Sequence, residues 1–340
     1  MAEQNIAYAS QDSILESLVL HILPDFGPDG NNGIVNNNFV LSYLKENDRF
    51  DVVEGGLEFW GNVMTKKNTN MRWQGHEDEM KANLQDPSSR LRYDIQTYAG
   101  AGIVINKKHE AMNKGRAMIK EWAKTLREQA MSTVPNDFNS SFWASSPGTY
   151  EPNSIPSLIS TTPTTGTIGG QTRSTHKAFQ NQLYDTTVAD IGSEAGLSAL
   201  FRQIIRAAVT SNSRPDLVIM DDELWAGLSA YLESQRRYKE SDKMSKLGFD
   251  SIMYRGTTIG YENTNVMDDT QNTISSGYVY GINSKHMKFR VLKDGNFQWD
   301  PSGFQQIGQS LNRGLYFYVF CNLCDYLPRA HFVMSDVSTS

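Results

Sequence analysis

The chain has 340 residues, 39% of them hydrophobic and 21% charged, enough for one large or two ordinary domains with a real core. A formal net charge of −6 argues against a protein whose main task is gripping duplex DNA, which demands a dense positive surface. No apolar run approaches the ~18 residues that span a bilayer, no signal peptide is expected, and the two cysteines, Cys321 and Cys324, give no disulfide framework.

Residues 10–23 align Ile14, Leu15, Leu18, Val19 and Ile22 on one helical face. The Pro-, Gly- and Asn-rich stretch 24–33 breaks that pattern, and a second apolar cluster follows at 39–44. Two short helices on a loose connector predict an arm that must find its burial on something else. From Phe50 the pattern turns to strands. Leu91, Tyr93 and Ile95 alternate with Arg90, Arg92, Asp94 and Gln96, the period of a strand with one covered face. Residues 57–99 therefore predict two long strands around a polar excursion, 66–88, that carries Trp73-Gln74-Gly75-His76-Glu77-Asp78-Glu79. Such a ribbon is marginal alone in water, so it folds back on its own chain or lies across a neighbour.

Ile103-Val104-Ile105 leads into the longest helical signal, 106–132. Ala111, Met112, Gly115, Met118, Ile119, Trp122, Ala123, Leu126 and Ala130 recur at three- and four-residue steps. Asn106 can cap the start, and Val134-Pro135 is expected to stop the helix, because the residue before proline avoids helical dihedrals. Its length would be roughly 40 Å, a spine that needs equally long cover. The polar stretch 135–172 reads as an extended loop anchored by Phe142, Trp143, Leu158 and Ile159.

Leu197, Leu200, Phe201, Ile204, Ile205 and Ala208 form another helical stripe. A buried strand follows at 217–220, then a helix capped by Asp221 or Asp222 that carries Leu224, Trp225, Leu228, Tyr231 and Leu232. Further strands are expected at 257–261, 278–282 and 287–292, and the succession helix, strand, helix, strand reads as a compact α/β unit. An aromatic run at 315–321 is β-rich, and 330–334 closes the sheet.

The search for chemistry returns no catalytic, cofactor-binding or metal-binding set. Cys321 and Cys324 sit three apart in a strand, on opposite faces, and read as buried structural thiols. The stretch 25–36 lacks the bidentate glutamate of a calcium loop. Gly100-x-Gly102 lacks the third glycine of a dinucleotide site, and 165–170 is not followed by the Gly-Lys-Ser/Thr of a phosphate loop. The six histidines have no ligand spacing, and His76-Glu77-Asp78-Glu79 reads as a solvated loop tip.

Several segments, in this order and spacing, resemble the major capsid (coat) proteins of tailed bacteriophages, the family with the Hong Kong-97-like fold. They are Leu41-Ser42-Tyr43-Leu44 to Gly55-Gly56-Leu57, Arg92-Tyr93-Asp94, and Lys107-Lys108-His109-Glu110-Ala111-Met112-Asn113-Lys114-Gly115. Ile168-Gly169-Gly170-Gln171-Thr172-Arg173 and Ala178-Phe179-Gln180-Asn181 follow, with Gln180 where relatives often have arginine. Arg214-Pro215-Asp216-Leu217-Val218-Ile219, then Gly248-Phe249 before Tyr254-Arg255-Gly256, complete the match.

The resemblance implies an α+β fold with an N-terminal arm (1–50), an extended β-hairpin loop (51–104), a peripheral domain with a long spine helix (105–189), an α/β axial domain (190–285) and C-terminal peripheral strands (286–340). It implies a non-enzymatic subunit that assembles into hexamers and pentamers, forming an icosahedral shell around double-stranded DNA. The implied location is the virion, after assembly in the host cytoplasm. The implied partners are the chain itself, a separate scaffolding protein, a portal, a decoration protein and non-specifically packaged DNA on the inner surface, with no membrane. Arg72, Trp73, Arg90 and Arg92 on the loop and Trp225 on the axial domain are the candidate inter-subunit contacts. The alternatives are an encapsulin-like nanocompartment shell and, from a different class, a soluble α+β hydrolase whose His76–Glu79 loop overhangs a cleft.

Overall fold

The computed structural model describes residues 38–77, 79–80, 82–106, 108, 116–211, 213–235, 251–262, 272–308 and 312–338. The helix expected at 10–23, the stretch 25–36, the first turns of the spine helix at 109–115, Asp78 and Gly248-Phe249 lie outside the described residues.

A single strand organises the first sheet. β15 (Asn312–Asp325) is fourteen residues long and carries the aromatic run. It is antiparallel to β4 (Gln96–Asn106), from Asn312 opposite Asn106 to Cys321 opposite Gln96. Its far end pairs with β12 (Met287–Leu292), which in turn pairs in parallel with β1 (Phe50–Val53). Two short strands, β13 (Gln298–Trp299) and β14 (Gln305–Gln306), complete this six-stranded sheet. Leu315, Phe317 and Val319 are buried while Tyr316, Tyr318 and Phe320 are half-buried, the period-2 pattern of a strand with one better-covered face.

The second six-stranded sheet has the order β7-β16-β11-β8-β10-β9. Its strands are β7 (Gln182–Asp190), β8 (Leu217–Met220), β9 (Ser251–Tyr254), β10 (Thr257–Tyr261), β11 (Val279–Ile282) and β16 (Phe332–Ser338). All four residues of β8 are buried, as expected of a central strand covered on both faces. The segment 330–334 was expected to follow the aromatic strand into its sheet. Instead β16 lies between β7 and β11, so it belongs to the sheet of the α/β unit, and the pairing crosses the expected boundary at 285/286.

Two expectations about helices are corrected. The cluster at 39–44 is not part of a free arm. It forms helix α1 (Phe39–Glu46), whose first six residues are all buried within this chain's own core. Asn38 caps it by accepting from the Leu41 N–H at 2.9 Å, and Tyr43 donates to the Asp216 carbonyl at 2.9 Å. The spine helix α2 (Arg116–Trp143) does not stop at Val134-Pro135 but runs straight through Pro135. An interior proline forfeits a hydrogen bond and costs ~3 kcal/mol. The burial that follows it outweighs that cost. Ala130, Val134, Phe138 and Phe142 recur every four residues and are all buried. Phe138 and Phe142 lie 6.4 and 5.8 Å from Phe289 of the first sheet, and Trp143 lies 5.7 Å from Tyr280 of the second. Fully burying each such ring contributes roughly 1.5–3 kcal/mol. The expected loop anchors Phe142, Trp143, Leu158 and Ile159 are indeed buried, the first two as the last turn of α2.

The start of α1 is held by a fully buried acid. Glu262 follows β10, accepts the Phe39 N–H at 3.0 Å, and has one oxygen without a partner among the described residues. Burial pushes its pKa up to about 8 from 4.5, against the lowering effect of the Phe39 and Val40 N–H groups. The folded state then binds a proton that the unfolded state has released, so stability falls as pH rises between about 4.5 and about 8. Glu262→Gln keeps a neutral acceptor and removes this titration. Urea unfolding of the wild type should lose stability on the order of 3–5 kcal/mol across that window, and the variant should lose markedly less.

Candidate assembly surface

The predicted ribbon forms. β2 (Glu58–Met64) pairs antiparallel with β3 (Ser88–Asp94) in unbroken register from Glu58–Asp94 to Met64–Ser88. Alternation divides its faces. Phe59, Val63, Leu91 and Tyr93 point into the core, while Trp60, Met64, Arg90 and Arg92 are exposed. The ribbon therefore does fold onto its own chain along its paired strands, and its polar excursion extends beyond them.

Three elements grip the base of the ribbon. The Tyr326 ring occupies the space beside Gly61 that a β-carbon would need, and Arg290 Nη1 donates to the Trp60 carbonyl at 3.2 Å. Tyr93 donates its hydroxyl to the Asp325 carbonyl at the end of β15. The third grip is a small clasp made of β5 (Thr167–Ile168) and β6 (Gln171–Thr172). The Arg92 N–H donates to the Gly169 carbonyl at 2.9 Å, and Gln171 Nε2 to the Arg90 carbonyl at 3.2 Å. Gly169 has φ +52°, and a β-carbon there would sit 2.8 Å from Leu91 Cβ. Only glycine fits this approach.

The clasp is locked by a residue whose importance the sequence reading missed. Arg173 is fully buried and donates to the carbonyls of Ser157 (2.8 Å), Leu158 (2.9 Å) and Phe179 (3.3 Å) and to Asn181 Oδ1 (3.3 Å). Desolvation lowers its pKa, and the fork of neutral acceptors replaces lost water. Gln180, in the place where relatives often carry arginine, donates to the Arg173 carbonyl at 2.9 Å. Arg173 is the first charge after the uncharged stretch 152–172, and that isolation was the available signal.

Beyond the strands the hairpin continues as a polar ladder. Thr69 and Gln85 exchange two bonds, and so do Asn70 and Asn83. Met71, Trp73 and Met80 past these rungs, and Leu84 between them, are between 74% and 104% exposed. His76, Glu77 and Glu79 are exposed there as well, and among the described residues no group of His, Cys, Asp and Glu could hold a metal ion.

The five candidate contact residues fall into three environments. Arg72 and Trp73 stand exposed at the tip. Arg90 lies 4.6 Å over the Trp60 ring and Arg92 Nε lies 3.8 Å from Glu58 Oε2, so both are engaged on the outer face of their own hairpin. Such exposed pairs contribute only ~0–1 kcal/mol. Trp225 is half-buried on helix α3 (Asp222–Gln235), stacked on Tyr261 with centroids 5.5 Å apart.

A buried pair at the junction of the sheets also escaped the sequence reading. His331 Nδ1 accepts the Asn283 N–H at 3.0 Å, so the ring proton sits on Nε2, which donates to Asp325 Oδ1 at 3.1 Å. Both residues are wholly buried, and no nucleophile among the described residues reaches the imidazole by a hydrogen bond. The pair ties the turn between β15 and β16 to the end of β11. Cys321 and Cys324 are free and buried; burial raises both thiols, that of Cys324 to about 12, which leaves them inert. Gly100-x-Gly102 lies inside β4, away from any strand-to-helix turn. No helix among the described residues is long and apolar enough to cross a membrane.

A β-hairpin pinned at its base, a long helix packed on a sheet, and a separate sheet flanked by helices define the Hong Kong-97-like capsid fold. No family model and no curated protein matches the sequence. Solved structures match its fold. The capsid asymmetric unit of cyanophage A-1(L) aligns with TM-score 0.57 at 10% identity, covering 86% of this chain and 91% of that one. The capsid of Myoviridae phage XM1 aligns with TM-score 0.52 at 10% identity, covering 86% and 91%. The capsid of the native GTA particle gives 0.52 at 10% identity, covering 86% and 89%. The chain has the fold of these capsid proteins.

Replacing Gly169 with Ala would force a strained φ and press a methyl group on Leu91. We expect Gly169→Ala to lower the unfolding free energy by about 1–3 kcal/mol. Hydrogen exchange should accelerate in 88–94 while 217–220, in the other sheet, keeps its protection.

Proposed function

We propose that this chain is the repeating subunit of a protein shell, a major capsid protein of a tailed phage, that forms hexamers and pentamers around double-stranded DNA. The observation that carries the reading is the hairpin, whose base is anchored in the core while four large apolar side chains at its tip stay in water. A monomer gains nothing from that exposure, whereas a neighbouring copy that covers the tip recovers it as burial. The likeness to phage capsids supports the same reading. The subunit is non-enzymatic, its location is the virion after assembly in the host cytoplasm, and its partners are its own copies. A scaffolding protein, a portal, a decoration protein and DNA on the inner surface complete the proposed set. The proposed division into arm, hairpin, peripheral domain and axial domain keeps the boundaries expected from sequence, except that α1 joins the core and 332–338 go with the axial sheet.

Light scattering and negative-stain microscopy on the purified chain over a concentration series test this. Rings of five or six copies, or closed shells, are expected as concentration rises. A compact monomer at every concentration overturns the proposal. Shells recovered from the native host with protein cargo in place of DNA would assign the chain to encapsulin-like compartments.

A further inference from the structure

A cleft of about 250 Å³ opens between the start of β4, the last turns of α2 and the loop that follows. In β15, Cys321 and Val319 lie opposite Gln96 and Tyr98 of β4, and directly paired residues share one face of a sheet. Tyr98 packs on Phe138 of α2 with centroids 5.3 Å apart, so this is the face that α2 covers. Gln96, Tyr98 and Cys321 therefore form the floor of the cleft, Asp137 and Phe138 one wall, and Glu151 of the loop the other. The Cys321 thiol is 1% exposed, and among the described residues neither it nor the Gln96 side-chain amide makes a hydrogen bond.

The charge of this cleft is unbalanced. Asp137 Oδ2 accepts from the Tyr98 hydroxyl at 2.7 Å, and Glu151 Oε2 accepts from the Gly148 N–H at 2.8 Å, which leaves each carboxylate a second oxygen for another donor. Burial and the adjacent Asp137 push the Tyr98 hydroxyl upward, so it stays a neutral donor. No lysine or arginine lines the cleft. Asp137, Glu151 and Cys321 all border it, yet among the described residues no three such groups stand close enough to hold one metal ion. The missing cation is then an organic one that reaches both acids. A volume just below the ~300 Å³ at which pockets for drug-sized ligands begin suits a short chain molecule.

We infer that the cleft binds a short aliphatic diamine, with one ammonium on Asp137, the other on Glu151, and the methylenes between them on the Tyr98 and Phe138 rings. An ammonium has three donors and no acceptor, which matches the open carboxylate oxygens and the carbonyl oxygen of the Gln96 side chain. Each carboxylate contact is a charge-assisted hydrogen bond, stronger than a neutral one. Methylenes ask nothing of aromatic faces or of the weakly polar Cys321 thiol, so no buried polar group is left worse off. The occupied cleft ties the loop at 148–151 to the last turns of α2. The site is complete within one copy, so it stands apart from the shell reading.

Titration calorimetry of the full chain with putrescine tests this, at constant ionic strength and about pH 7, where alkylammonium groups and carboxylates are both charged. One saturable site per chain is expected. Asp137→Asn keeps an acceptor for the Tyr98 hydroxyl and Glu151→Gln alters an exposed side chain, so both variants should keep the wild-type thermal midpoint. Each should weaken binding by about tenfold, equivalent to 1.4 kcal/mol. If Asp137→Asn fails to fold, Glu151→Gln alone decides. Butylamine, which reaches one acid, should bind the wild type about tenfold more weakly than putrescine, and uncharged butanediol should not bind. The absence of saturable binding, or butylamine binding as tightly as putrescine, overturns the inference. So does binding at several sites that survives both substitutions, which is attraction to the chain's overall charge of −6. None of these outcomes touches the shell reading, and a chain that never forms rings can still bind the diamine.

Discussion

Where chain segments pass between two sheets through the interior, buried backbone polar groups have to be paired without the help of a ladder. This structure meets that constraint at three adjacent crossings. Asn283 and Ser284 carry the chain from β11 to β12, with Ser284 N–H on Asp216 Oδ1 at 2.7 Å. Asp325 and His331 carry it from β15 to β16, and Arg173 with Asn181 carries it from the clasp into β7. Asn322 links this junction to the hairpin, accepting the Asn153 N–H at 2.8 Å and donating to the Asp94 carbonyl. The buried polar residues that sequence inspection might assign to catalysis are instead the fittings of these crossings. Their cost of burial is offset where they satisfy backbone that would otherwise be orphaned, as Arg173 does at Ser157, Leu158 and Phe179 and His331 does at Asn283.

From that junction outward, order is graded by distance. The hairpin base shares the core through Phe59, Val63, Leu91 and Tyr93, so its direction is fixed by the same contacts that hold the sheets together. Among the described residues, the hairpin's outer part is tied by the polar rungs between Thr69 and Gln85 and between Asn70 and Asn83. A stiff base and an unburied end make the hairpin a lever, and the clasp at Gly169 and Gln171 sets its angle. Small changes at the clasp would move the tip much farther than they move the core, which suits an element that must meet a neighbour.

Much of this was legible wherever the signal was local. Period-2 alternation located β3, and the strands read at 257–261 and 287–292 coincide with β10 and β12. The three failures share one cause. Val134-Pro135 carries a strong local stop signal, but Phe138, Phe142 and Trp143 find cover on both sheets, and no local rule counts partners that are distant in sequence. The cluster at 39–44 looked homeless because its partners, Asp216 and Glu262, lie far along the chain. The strand at 332–338 looked like the sequel of the aromatic strand, whereas its neighbours are β7 and β11. Arg173, Asp325 and His331 gave single-residue signals without distances. The tip residues Arg72 and Trp73 were legible as part of a polar excursion, and both are exposed.

The central seat of β16 bears on how the chain is made. Phe332 pairs with Gln182, and the strand is flanked on both sides by segments translated earlier. Until 332–338 leave the ribosome, β7 and β11 have a gap between them, and the α/β unit cannot close its core around Phe332, Met334 and Val337. Pairings so distant in sequence form late and slowly. The hairpin has both its strands within 58–94, but its base waits for Arg290, Asp325 and Tyr326, and a lone two-stranded ribbon is marginal in water. The lever therefore gains its fixed direction only as synthesis ends, in the same interval in which β16 closes the second sheet.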